Sequence, residues 1–247
     1  MPGFPQDAPM RAVAIYLPLT MMHAGCVSPQ TYGTPRTLPP GKISQTLALE
    51  SVSTVATLPS RSSPTRANAT PGLLAPPFYM VRFGAGERTD IGLRTAKLGT
   101  WGFDVKVRLL QARTVDVAVN PMVQILFDGV TGPHLHLPLV VGFNVTSDVT
   151  FVLTPGISYA GFLRAGETAN VDLGNTLTID TYGALARIGA GINLRLVRRF
   201  AIQPEVTLLR SLQPSHDAPF SSITFVAFGL GFTWGPQPSY ADEDCPP

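Results

Sequence analysis

The sequence predicts an all-β fold, an antiparallel transmembrane β-barrel of about ten strands. Three observations lead there. Charged residues make up only 14% of the 247-residue chain, against roughly 25% in an ordinary soluble domain. No apolar stretch reaches the roughly 18 residues that a membrane-spanning helix needs. And segment after segment alternates strictly between apolar and polar residues, the mark of a strand with two different faces. A barrel reconciles low charge with the missing helix, because each strand shows lipid only every second residue. A secreted soluble β-sandwich is the competing architecture.

The alternation is clearest over residues 101–109. Trp101, Phe103, Val105, Val107 and Leu109 fall on one face, with Asp104, Lys106 and Arg108 on the other. Residues 135–145 collect Leu135, Leu137, Leu139, Val141, Phe143 and Val145 on one side. Residues 182–196 set Ile188, Ile192, Leu194 and Leu196 against Arg187, Asn193 and Arg195. The expected strands are 43–51, 76–84, 88–97, 101–110, 114–126, 134–145, 148–160, 180–196, 199–210 and 221–234. An even number suits a single-chain bacterial barrel. Pro204 lies within one of them and marks a bulge or distortion, since proline cannot donate to the ladder.

The connections sort by length. Those at 85–87, 111–113, 146–147 and 197–198 are tight, while 52–75, 127–133, 161–179 and 211–220 are longer. They alternate, as short periplasmic turns and long outer loops do in such barrels; only 98–100 is out of place. Aromatic residues gather at both strand ends, with Tyr79, Trp101, Phe127, Tyr159 and Tyr182 at one. Phe83, Phe143, Phe151, Phe200, Phe232 and Trp234 are at the other. Two aromatic girdles are what a bilayer's two interfaces favour.

The ends of the chain carry their own signals. Arg11, an apolar run from Ala12 to Met22, and Ala24-Gly25-Cys26 have the layout of an export signal. This segment resembles a bacterial lipoprotein signal, which implies acylation of Cys26. Val27, in the position after it, would permit sorting to the outer membrane. Residues 1–26 are therefore read as the signal, 27–41 as a Pro/Thr-rich periplasmic linker, 42–234 as the barrel and 235–247 as a periplasmic tail. Cys245 is the only other cysteine. Either Cys26 is acylated and Cys245 is a free thiol, or the two pair in an oxidising compartment. The last strand, with Val226, Phe228, Leu230, Phe232 and Trp234, resembles the C-terminal signal read by the barrel-assembly machinery. The whole resembles a Gram-negative outer-membrane β-barrel, both termini in the periplasm. The resemblance implies outer-membrane lipid and that machinery as partners.

The face turned away from lipid carries Arg82, Asp90, Arg94, Asp104, Lys106, Arg108, Asp116, Arg187, Arg195 and Glu205. Mixed signs favour a salt-bridged plug over a charged pathway, since buried charges need partners and a barrel of this size is narrow. Gly84, Gly92, Gly183, Gly189 and Gly191 would leave room beside the arginines. His134, His136 and His216, the last flanked by Ser215 and Asp217, lack the spacing of a metal site or a hydrolase triad. No cofactor, metal or catalytic residue is expected, and a net charge of +2 without a basic stripe gives no nucleic-acid surface. The expected role is structural or narrow passive transport. The alternatives are a barrel enzyme acting on outer-membrane lipid and a soluble β-sandwich that binds a partner.

Overall fold

The computed structural model describes residues 28–57, 67–96, 100–126, 132–160, 170–172, 176–178, 183–212 and 222–237. Cys26, Cys245, His216, Phe127, Tyr182 and the expected export signal lie outside them. Fourteen strands follow one another: β1 (Ile43–Thr57), β2 (Ala67–Gly84), β3 (Thr89–Ala96), β4 (Thr100–Gln111), β5 (Val115–Val119), β6 (Met122–Leu126), β7 (Gly132–Asn144), β8 (Val149–Leu153), β9 (Gly156–Ala160), β10 (Asn170–Asp172), β11 (Thr176–Thr178), β12 (Gly183–Val197), β13 (Phe200–Ser211) and β14 (Ser222–Trp234).

Every pairing is antiparallel, and β14 returns to pair with β1. β5 and β6 both lie between β4 and β7, and β8 and β9 both lie between β7 and β12. Each pair is one stave broken in the middle, so the wall has ten staves, as the alternation predicts. Closure of β14 on β1 leaves the wall without a terminal edge strand, as a membrane barrel requires. β10 and β11 form a separate small hairpin.

Prolines explain the breaks. Pro121 and Pro155 occupy the gaps, where they withdraw an N–H from the ladder. Their carbonyls still serve neighbouring staves: Val105 N donates to Pro121 O (3.0 Å) and Leu139 N to Pro155 O (2.8 Å), while Asn120 N reaches Pro138 O (3.1 Å). The ladder stays connected across these three adjacent staves. Pro204 marks a distortion rather than a bulge. The β12–β13 ladder skips the pairs beside it, between Gly191↔Glu205 and Leu194↔Ile202, yet keeps its register.

The first hairpin also departs from expectation. Much of the connection 52–75 is strand, because β1 runs on to Thr57 and pairs with Ala67. Small polar residues there looked like loop. Yet Val52, Thr54 and Val55 suit a strand, and β14 supplies a second neighbour out to Ser222. A register shift opposite Leu49 accommodates Pro76 and Pro77 in β2.

The two faces are inverted relative to a soluble protein. In β1, Ser44, Thr46, Ala48 and Glu50 are buried while Ile43, Leu47 and Leu49 are exposed. In β7, His136 and Val140 point inward and Leu135, Leu137, Leu139 and Phe143 outward. Polar inside and apolar outside is the arrangement of a transmembrane barrel. Of the aromatic positions, Tyr79, Trp101, Tyr159, Phe83, Phe143, Phe151 and Trp234 are all exposed on this outer surface. Trp234 packs with Phe200 (5.6 Å between ring centroids) and Phe232 (6.4 Å).

Placing a charge on this surface should therefore cost folding energy. Leu139→Arg is expected to lose up to about 2–4 kcal/mol in urea titrations from phospholipid vesicles, according to its depth. An unchanged midpoint would mean that Leu139 faces water.

Candidate functional site

The lumen holds polar side chains together with a stretch of the chain itself. Residues 28–38 run inside the barrel, with Ser28, Gln30, Thr31, Tyr32, Thr34, Arg36, Thr37 and Leu38 all buried. Over residues 28–38 this departs from the linker reading of 27–41; Pro39, Pro40 and Gly41 are exposed. Proline, threonine and glycine suit a solvated linker, but an extended segment of that composition also offers bare amides and hydroxyls. The charged wall needs such groups.

The segment enters at the end of the barrel that carries the short turns. Gly84 N donates to Lys42 O and Gly41 N to Gly84 O. Gly84 is required here, since a Cβ would stand 2.2 Å from Pro39 O. Leu38 N then donates to Asp90 (3.2 Å) and Thr37 Oγ1 to Glu87 O (3.0 Å). Arg36 Nε forms an ion pair with Asp116 at 2.7 Å, and Asp116 also accepts from Asn144 Nδ2 (2.7 Å) and Ala112 N (3.1 Å). Lys106 Nζ donates to Thr34 O (3.0 Å).

Higher in the lumen, Tyr32 adopts a left-handed backbone (φ 43°), and its ring lies over β14. A Cβ on Gly229 would fall 1.9 Å from the Tyr32 hydroxyl, and one on Gly231 would fall 2.7 Å from its ring. The two glycines make the slot. Phe78 closes it from β2, with ring centroids 6.0 Å apart. Glu205 secures the turn by accepting from Thr31 N (2.9 Å), Thr31 Oγ1 (2.9 Å) and Tyr32 N (3.0 Å), with Gln203 Nε2 as a fourth donor at 3.1 Å. Gln30 bridges Ala227 O (2.9 Å), Thr207 Oγ1 (2.8 Å) and Arg94 Nη1. Ser28 donates to Glu50 (2.6 Å), and Gln124 donates to Ser28 O (2.6 Å).

Beside the segment, the wall charges pair with one another. Arg82 joins Asp90 and Asp104; Arg94 meets Asp104 at 2.9 Å; Lys106 meets Asp90 at 3.3 Å. All five are buried. Their Cα partners line up across β2, β3 and β4, as Arg82↔Gly92↔Asp104 and Arg94↔Gly102. Gly92 and Gly102 leave the volume that the pairs fill: a Cβ would lie 2.5 Å from Asp104 Oδ2 and 2.6 Å from Arg94 Cγ. The room foreseen beside the arginines is thus occupied.

Of the remaining charged positions, Arg187 and Glu205 are buried, while Arg108 is half-buried. Arg195 pairs with the exposed Asp148 at the turn end, at 3.0 Å. Sequence reasoning missed Arg36, Glu50 and Gln203, and placed Gln124 on the polar face without assigning it a role. Glu50 was legible, since it continues the inward series Ser44, Thr46, Ala48. Arg36 was not, because nothing in its Pro/Thr-rich surroundings shows that they enter the barrel. His136 is buried with Nδ1 2.7 Å from Ser158 Oγ. Its other nitrogen has no hydrogen-bond partner among the described residues, so the orienting acid of a hydrolase triad is not in place there. His134 sits two residues further toward the loop end of β7, half-buried.

No family model matches the chain, and no curated protein matches its sequence. Solved structures with a similar fold are membrane β-barrels. The outer-membrane protease OmpT from Escherichia coli is 9% identical, with a TM-score of 0.43 over 82% of this chain and all of that one. An outer-membrane channel from Pseudomonas putida F1 is 10% identical, with a TM-score of 0.47 over 85% of this chain and all of that one. The N-terminal barrel domain of Pseudomonas aeruginosa OprF is 12% identical, with a TM-score of 0.33 over 76% of this chain and 97% of that one. These likenesses are too distant to bear on activity.

Asp104 binds two buried guanidinium groups, so Asp104→Ala leaves both short of a partner and is expected to cost about 3–5 kcal/mol. Asp148→Ala, at the exposed pair, should cost about 1 kcal/mol or less. Urea unfolding of the two variants in vesicles compares them directly; equal losses would mean that the Asp104 network is solvated.

Proposed function

We propose that this chain is an outer-membrane β-barrel whose lumen is closed by its own residues 28–38, giving it a structural or narrowly permeable role. The segment inside the barrel carries the reading. Barrels of about eight strands are filled by their own side chains, and wider ones admit solvent or a plug. Here the ten-stave wall spends its inward acids on donors from the segment: Glu205 on Thr31 and Tyr32, Asp116 on Arg36, Glu50 on Ser28. A solute crossing the lumen would have to pass that contact. The even strand count and the apolar outer surface suit a bacterial outer membrane, and the export-signal pattern before residue 27 agrees.

Conductance in planar bilayers tests the reading. Wild-type protein is expected to be largely non-conducting. The double variant Arg36→Ala/Glu205→Ala, which unties the segment at two points, should conduct several-fold more. Its folding is checked separately by the shift in gel mobility on boiling. A large, steady wild-type conductance unchanged in the double variant would sink the proposal.

A further inference from the structure

One buried cation in the lumen has no acid paired to it among the described residues. Arg187, on the inward face of β12, is 3% exposed. Its only hydrogen bond among the described residues is a long one, from Nη2 to Thr154 Oγ1 at 3.4 Å. Nε and Nη1 have no hydrogen-bond partner among the described residues. Glu205 is within electrostatic reach, but its two oxygens are already taken by four donors. A buried guanidinium without a direct counter-ion is costly, so the local chemistry calls for an anion.

A second unpartnered group lies on the same side of the lumen. His136 pairs across the wall with Ser158, and Ser158 with Leu185, two residues from Arg187. The imidazole is 5% exposed and within electrostatic reach of Arg187. Ser158 Oγ occupies Nδ1. When that hydroxyl donates, the proton of the neutral ring sits on Nε2, the nitrogen without a partner. Gly156 is the arginine's neighbour on β9; Thr154 and Gly189 follow on the same face, packed against each other so that a Cβ on Gly189 would lie 2.2 Å from Thr154 Oγ1.

We propose that Arg187 and His136, with Ser158 holding the imidazole, form a lumenal binding site for a small oxyanion, a carboxylate or phosphate group. The adjacent Nε–H and Nη1–H of a guanidinium present two parallel donors that match either group. His136 Nε2–H supplies a third donor from a different stave. The site lies in the half of the barrel near the long connections, since Ser158 and Arg187 are close to the loop ends of β9 and β12. It stands on these side chains alone, whether or not residues 28–38 limit conductance.

Thermal unfolding of the detergent-solubilised full chain, at constant ionic strength with chloride replaced by inorganic phosphate or by acetate, tests it. Wild-type protein should unfold at a higher temperature in at least one of the two than in chloride. Stabilisation by phosphate alone would point to phosphorylated ligands, and by acetate alone to carboxylates. Arg187→Met should remain at least as stable as wild type in chloride, because it removes an uncompensated charge, and should lose the response. Addition of phosphate or acetate to 15N-arginine-labelled wild-type protein should also shift one guanidinium Nε resonance. Equal unfolding temperatures in all three salts, or a response that survives in Arg187→Met, would overturn the proposal. So would an Arg187→Met protein less stable than wild type in chloride, since Arg187 would then be serving an internal partner.

Discussion

Charges inside a membrane barrel have to be neutralised where they stand, and this requirement organises the rest of the molecule. The exterior is apolar because lipid surrounds it, so, with Arg210 near the loop end of β13 left exposed, most ionic groups of the strands are driven inward. There the local dielectric is low and an unpaired charge is costly. Asp104 and Asp90 meet that demand within the wall, each touching two cations. Asp116, Glu205 and Glu50 meet it through residues 28–38 instead. The segment and the wall therefore complete each other: the wall's acids need donors, and an extended backbone needs acceptors.

Shape follows from the same demand. Glycine occurs where a charged or aromatic group must lie flat against the strand behind it. Gly92 and Gly102 receive the Asp104 and Arg94 side chains, and Gly229 and Gly231 receive Tyr32. Replacing any of them would displace a partner of the network along with a neighbouring atom. The prolines serve a separate purpose. Pro121, Pro138 and Pro155 lie at one level on three neighbouring staves, and their carbonyls keep the ladder connected there. Arg187, His136 and Ser158 lie on the loop side of these prolines, as does Gln124, which binds Ser28.

The barrel was legible in the sequence because its signal has the shortest period a chain can show. Trp101 to Leu109 and Leu135 to Val145 announce their outer face residue by residue, and the charged inner face can be read from the positions between. The turn at 85–87 and the neighbouring short connections set the order of staves. What the sequence concealed was long-range. Residues 28–38 have no alternation, since they touch several staves and face neither lipid nor water. Their composition matches a solvated linker equally well. The extension of β1 to Thr57 was hidden for a related reason: Ser51 to Thr57 are held by ladder bonds to two neighbours, and ladder bonds leave no trace in side-chain polarity.

Amide hydrogen exchange over residues 28–38 of the full chain in detergent or bilayer tests the central claim most directly. The account predicts that the amides of Thr31, Tyr32 and Leu38, bound to Glu205 and Asp90, exchange as slowly as those of the surrounding strands. Exchange at the rate of an unstructured peptide would show that the segment lies outside the barrel and that the lumen acids are paired in some other way.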